Sequence, residues 1–119
     1  MSTRPNILFL FTDQQSARAM SCAGNPQLST PHMDRLAAAG MRFGQAYCAA
    51  PVCGPSRSSL LSGRMPHETG VLVNSMTPDP SQPNMGELFE RAGYATAWSG
   101  RWHLPDNGEG GLRGFEVLH

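Results

Sequence analysis

The sequence predicts an α/β fold with a mainly parallel sheet flanked by helices. Three observations predict it: a continuous apolar run over residues 6–12, apolar residues at helical spacing after Thr30 and again after Asn84, and strand-like stretches alternating with those helices. Residues Asn6 to Thr12 read as a strand buried on both faces, because Ile7 to Phe11 are apolar without alternation and polar residues return at Thr12 and Asp13. From Thr30 a cap, Pro31 at the first helical position, and Met33, Leu36 and Ala37 on one face predict a short amphipathic helix that stops at Gly40. Met41 to Tyr47 reads as a second strand. In "APVCGPSRSSLLSGR" Pro55 suits the first helical position and Gly63 the stop, with Leu60 and Leu61 facing inward. That reading puts Cys53 at the mouth of a helix. After a Pro-rich loop from Thr77 to Pro83, Asn84 and Glu87 have capping-box spacing, and Met85, Leu88, Phe89 and Ala92 recur at helical intervals before Gly93. Tyr94 to Ser99 reads as another strand, and "DNGEGGLRG" as a Gly-rich loop.

A length of 119 residues with 39% apolar and 15% charged content suits one globular domain. Nine basic and nine acidic residues cancel, so no global field draws the chain to nucleic acid or to an anionic membrane, and neither is expected as a partner. The run Ile7 to Phe11 is too short for a signal-peptide core or a membrane span, so a cytoplasmic location is the expectation. Cys22, Cys48 and Cys53 form no CxxC, which argues against a zinc site or a disulfide framework.

In parallel α/β sheets the ligand crevice lies beyond the carboxyl ends of the strands, and "TDQQ" and "SGRWH" fall there. Asp13 and Gln14 offer two adjacent oxygen ligands for a hard divalent cation, or else form an ordinary polar turn. Cys53 sits where helix N–H groups favour a thiolate or a nearby oxyanion; the alternative is a small buried hydrophobe. Arg57, one turn on, either points back to that mouth or is a solvated helix-face charge. Arg101 and His103 share a face if the last strand continues through them, which would suit an anionic ester and its leaving group; otherwise both are structural, with Trp102 in the core. His32 reads as surface, His67 as part of a loop, and Cys22 and Cys48 as structural.

These residues also carry a family likeness. "CGPSRSSLLSGR" resembles the sulfatase signature with its Cys-x-Pro-Ser-Arg core, and "RPNILFLFTDQQ" resembles the first strand and metal-binding end of that family. "TPHMDRLAAAGMRFGQAYCAAPVC" is similar to its lead into the signature, "SGRWHL" to its Gly-Lys-Trp-His-Leu segment, and "GLRGFEVL" to a later Gly-Phe-Asp stretch. The resemblance implies an alkaline-phosphatase-like fold and hydrolysis of a small-molecule or saccharide sulfate ester. It implies that Cys53 is oxidised to formylglycine by a formylglycine-generating enzyme, and that one hydroxyl of the hydrated aldehyde attacks sulfur while the other later expels sulfate. Asp13, Gln14 and the modified Cys53 would then hold a divalent cation, Ca²⁺ first with Mg²⁺ or Mn²⁺ as alternatives. Arg57 would stabilise the hydrate, and Arg101 and His103 would hold sulfate or assist the leaving oxygen.

Two features depart from the family pattern. Gln14 replaces a second Asp, as in a branch that includes phosphonate and phosphodiester hydrolases, and Arg101 replaces Lys, exchanging a compact ammonium for a planar fork. A phosphonate monoester or phosphodiester hydrolase, and a non-catalytic anion-binding fragment, therefore stand beside the sulfatase reading. Because family members are several times longer and draw further ligands from later sequence, residues 1–119 are expected to be the amino-terminal part of one catalytic domain, incomplete and inactive alone, with unpaired sheet edges.

Overall fold

The computed structural model describes residues 4–105 and 113–118, and the chain divides into two compact units, Met1–Ala46 and Tyr47–His119. Much of the "DNGEGGLRG" loop lies outside the described residues.

In the first unit, helix α1 spans Pro31–Ala39, with Thr30 before it, Pro31 opening it and the Gly40 N–H donating to the Leu36 carbonyl at its end. The Thr30 hydroxyl does not cap the helix N–H groups. It joins a side-chain network instead: Thr30 Oγ1 accepts the Ser21 N–H at 2.9 Å, and Asp34 accepts from the Ser21 hydroxyl at 2.6 Å and from the Cys22 N–H at 2.9 Å. These bonds stabilise the ionised carboxylate, the Ser21 hydroxyl foremost, and hold the Asp34 pKa below its ordinary value. The same network ties a 3-10 turn over Ser21–Ala23 to α1.

The expected strands at residues 6–12 and 41–47 do not form. Ile7, Leu8, Phe9, Leu10 and Phe11 are all exposed, as are Met41, Phe43 and Tyr47. The cause is that a strand's backbone groups bond to a neighbouring strand, and no described residue forms a ladder with either segment. The Phe9 and Phe11 rings still stack, with centroids 6.0 Å apart, as residues two apart on an extended chain do.

The second unit holds most of the regular structure. Helix α2 spans Cys53–Ser62, α3 Pro66–Thr69, α4 Met85–Arg91, strand β1 Ala97–Ser99 and β2 Glu116–Leu118. Six of the ten α2 residues are buried, and Leu61, Val71 and Leu104 form the apolar core. Leu60, expected to face inward, is exposed at 38%; Leu61, one position on, takes the inward direction. Pro55 is the third helical residue, since extended Val52 precedes the helix and Cys53 is its first residue. The shift costs no backbone bond, as the first N–H groups of a helix have no intrahelical acceptor. Gly54 eases it, because a residue without Cβ tolerates helical geometry before proline. Gly63 closes the helix in the left-handed conformation, as its position suggests.

His67, expected in a loop, lies in α3, whose start is fixed by the Glu68 carboxylate accepting the Met65 N–H at 2.9 Å. The capping box at α4 is present on both sides: Asn84 Oδ1 accepts the Glu87 N–H at 3.1 Å, and Glu87 Oε2 accepts the Asn84 N–H at 2.9 Å. Strands β1 and β2 pair in parallel, Ala97 opposite Glu116 and Ser99 opposite Leu118. The strand over Tyr94–Ser99 is thus shorter than expected. Trp98, Trp102 and Phe115 pack edge to face beside the pair, with Trp98 centroids 5.0 and 5.7 Å from the other two. Trp102 is half-buried within this cluster.

Candidate active site

Two of the residues singled out by sequence, Gln14 and His103, are the two non-glycine residues among those described whose φ is positive, at 49° and 59°. Such a conformation costs about 1–3 kcal/mol and concentrates where function requires it. Both mark polar clusters that follow predicted strands.

Asp13 and Gln14 lie in the first unit and are exposed. A carboxylate and an amide carbonyl are hard oxygen donors, suited to Ca²⁺, Mg²⁺ or Mn²⁺.

In the second unit the chain brings Cys53, Arg57 and His103 together. Cys53 is the first residue of α2 and half-buried; its Sγ lies within 4.8 Å of a ring nitrogen of His103. The Pro55 ring leaves one amide donor out of the helix mouth. The Gly54 N–H donates to Asn74 Oδ1 at 2.7 Å, and the Ser56 N–H to the Val52 carbonyl at 2.9 Å. Fewer free amides therefore face an anion here than at an ordinary helix start.

Arg57 is 5% exposed, so it is no solvated helix-face charge. Its Nη1 donates to the Arg101 carbonyl at 2.9 Å and to the Trp102 carbonyl at 3.2 Å. The guanidinium thereby braces the backbone that carries His103 against the helix that carries Cys53. Arg101 and His103 are not alternate residues of one strand, contrary to the expectation: β1 stops at Ser99, and Gly100 at φ 99° turns the chain before Arg101. Arg101 keeps an exposed side chain, whereas His103 is half-buried with Nδ1 enclosed and without a hydrogen-bond partner.

Cys22, Cys48 and Cys53 are all free thiols. The Cys22 backbone serves the Asp34 network, and His32 is exposed beside the Arg35 guanidinium, in keeping with a surface role. Asn74 is the residue at this site that sequence reasoning missed. The available signal was Gly54, a poor helix former placed directly after Cys53.

A model of the sulfatase family matches residues 5–116 and so runs across both units. An N-acetylglucosamine-6-O-sulfatase of Bacteroides thetaiotaomicron is 42% identical over 107 residues, covering 90% of this chain and 19% of its own length. A solved structure described as a complex with its substrate D-glucosamine-2-N,6-O-disulfate matches with a TM-score of 0.87 at 40% identity, covering 96% of this chain and 22% of the other. The phosphonate monoester hydrolase of Agrobacterium radiobacter matches with a TM-score of 0.82 at 27% identity, over 96% of this chain and 25% of its own. The chain spans about a fifth of the length of the curated relatives it matches. These likenesses agree with the α/β, alkaline-phosphatase-like fold expected from the sequence.

Proposed function

The chain belongs to the sulfatase family, and from that premise we propose that it is the amino-terminal part of a single catalytic domain that hydrolyses a sulfate monoester, carried by a saccharide. The observation that carries this reading is the Cys53 sulfur within 4.8 Å of the His103 ring at the start of α2. Cys53 is the position converted to formylglycine by a modifying enzyme, and Asp13 and Gln14 hold a divalent cation, Ca²⁺ first. The donor chemistry of Asp13 and Gln14, a carboxylate and an amide oxygen, supports a hard cation. When present, the aldehyde supplies an oxygen nucleophile and the cation polarises the ester oxygens.

The chain's own residues do the rest. Arg57 fixes the 101–103 backbone through two carbonyls and contributes positive charge one turn above residue 53. Arg101, exposed, offers a planar fork to the sulfate oxygens. In this reading His103 exchanges a proton with the leaving alcohol oxygen.

A phosphonate monoester hydrolase is the second reading, favoured by Gln14 and by the Agrobacterium likeness. Parallel assays of an aryl sulfate and a phenyl phosphonate on the full-length protein distinguish the two. The sulfate is expected to turn over faster, and faster phosphonate turnover overturns the first reading. Mass spectrometry of the peptide containing Cys53 is expected to show loss of sulfur. An intact thiol in active protein removes the formylglycine role, and an intact thiol without turnover supports an anion-binding role instead. No helix among the described residues is long and apolar enough to cross a membrane; cell fractionation tests the cytoplasmic placement.

A further inference from the structure

We propose that Asn74 is a positioning residue for Cys53, its side-chain oxygen accepting the Gly54 N–H at 2.7 Å and so fixing the first turn of α2. This rests on the reading of Cys53 as the site of the nucleophile. Helix α2 lacks the usual means of holding its own start: the residue before it is Val52, which has no side-chain acceptor, and no side-chain cap bond forms there. Asn74 supplies the missing acceptor from twenty residues away.

Two further features show that the contact is built. Asn74 lies in a turn closed by the Met76 N–H donating to the Val73 carbonyl at 3.1 Å, and the fully buried Val71 stands three residues before it. The acceptor is thus held by a hydrogen-bonded turn. A Cβ at Gly54 would lie 3.0 Å from Asn74 Oδ1 and 3.1 Å from Asn74 Cα, so glycine at position 54 lets the two segments approach without displacing the asparagine by a few tenths of an ångström. Since Pro55 has no N–H to offer, the Gly54 N–H is the amide next to Cys53 through which the first turn can be tied to the rest of the unit. Loss of that tie lets the turn fray and moves residue 53 relative to His103, and a small misplacement of a reacting group is costly in rate.

The test uses the full-length protein with two substitutions, Asn74→Ala and Asn74→Asp, the second of which keeps an acceptor oxygen. Hydrogen exchange of the peptide covering Cys53–Ser62 is expected to be about fivefold faster in N74A and close to wild type in N74D. Turnover of an aryl sulfate is expected to fall about tenfold in kcat for N74A with KM little changed, and to recover in N74D. Unchanged exchange in N74A, or faster exchange with unchanged kcat, overturns the proposal. If N74A does not fold, N74D and Gly54→Ala decide it: the first must keep kcat and the second, which pushes the turn away, must lower it. A wild-type protein inactive on every sulfate ester defeats the sulfatase reading, and the exchange comparison still reports whether Asn74 holds the turn.

Discussion

Residues 53–62 and residues 6–12 each bring a candidate site residue to the end or start of an element, yet one is a formed helix with six buried residues and the other an exposed run with Leu8 at 83% and Leu10 at 72%. The helix closes most of its hydrogen bonds within its own length, and the open Gly54 N–H at its start is taken up by a side chain of the same unit. The apolar run can do neither, because its backbone partners would have to come from other strands. Helices, which bond within themselves, form throughout both units, whereas of the expected strands only the one whose partner lies among the described residues, β1 with β2, is paired.

The largest effect is expected from Arg57→Ala, which removes the donor from two backbone carbonyls in a buried setting. A loss of about 3 kcal/mol in denaturant unfolding is expected, with Arg57→Lys recovering part of it. A change below about 0.5 kcal/mol would mean the brace contributes nothing to the helix side of the contrast. Next is Leu8→Asp in the full-length protein. If residues 6–12 are paired and covered there, as their composition predicts, a charge at position 8 costs about 2 kcal/mol. A cost near zero would instead make the exposed form the working one.

The smallest effect is expected at Asp34, whose network with Ser21, Cys22 and Thr30 gives the first unit side-chain bonds where it lacks a ladder. Its folded-state pKa is lowered, so the folded state binds fewer protons than the unfolded one in the acid range. Its contribution is fully present above the ordinary carboxylate value and is lost as pH falls through the folded value. Stability measured against pH should therefore decline less steeply in acid for Asp34→Asn than for the wild type. An unchanged slope would show that the network does not hold the unit.

Local signals were legible in the sequence. Pro31, Gly40, Gly63 and the Asn84–Glu87 pair mark helix ends because such signals act within a few residues, whereas the Thr30 hydroxyl, read as a cap, bonds elsewhere. Cys53 at a helix start was legible for the same reason, although the register of Pro55 was off by two positions. What composition did not show is whether strands find partners, since pairing is a property of distant residues. The approach of His103 to Cys53 is likewise long-range, and it is achieved through Gly100 and Arg57 rather than by strand alternation. Asn74 was invisible because an acceptor borrowed from a distant turn leaves no spacing rule, only an unexplained glycine.

The narrow gap between Gly54 and Asn74 ties the fates of two positions. In a chain descended from this one that acquires a serine or alanine after its cysteine, the asparagine would have to give way by a few tenths of an ångström. Swaps at 54 and 74 should therefore be inherited together, and a library that randomises both should return them as matched pairs.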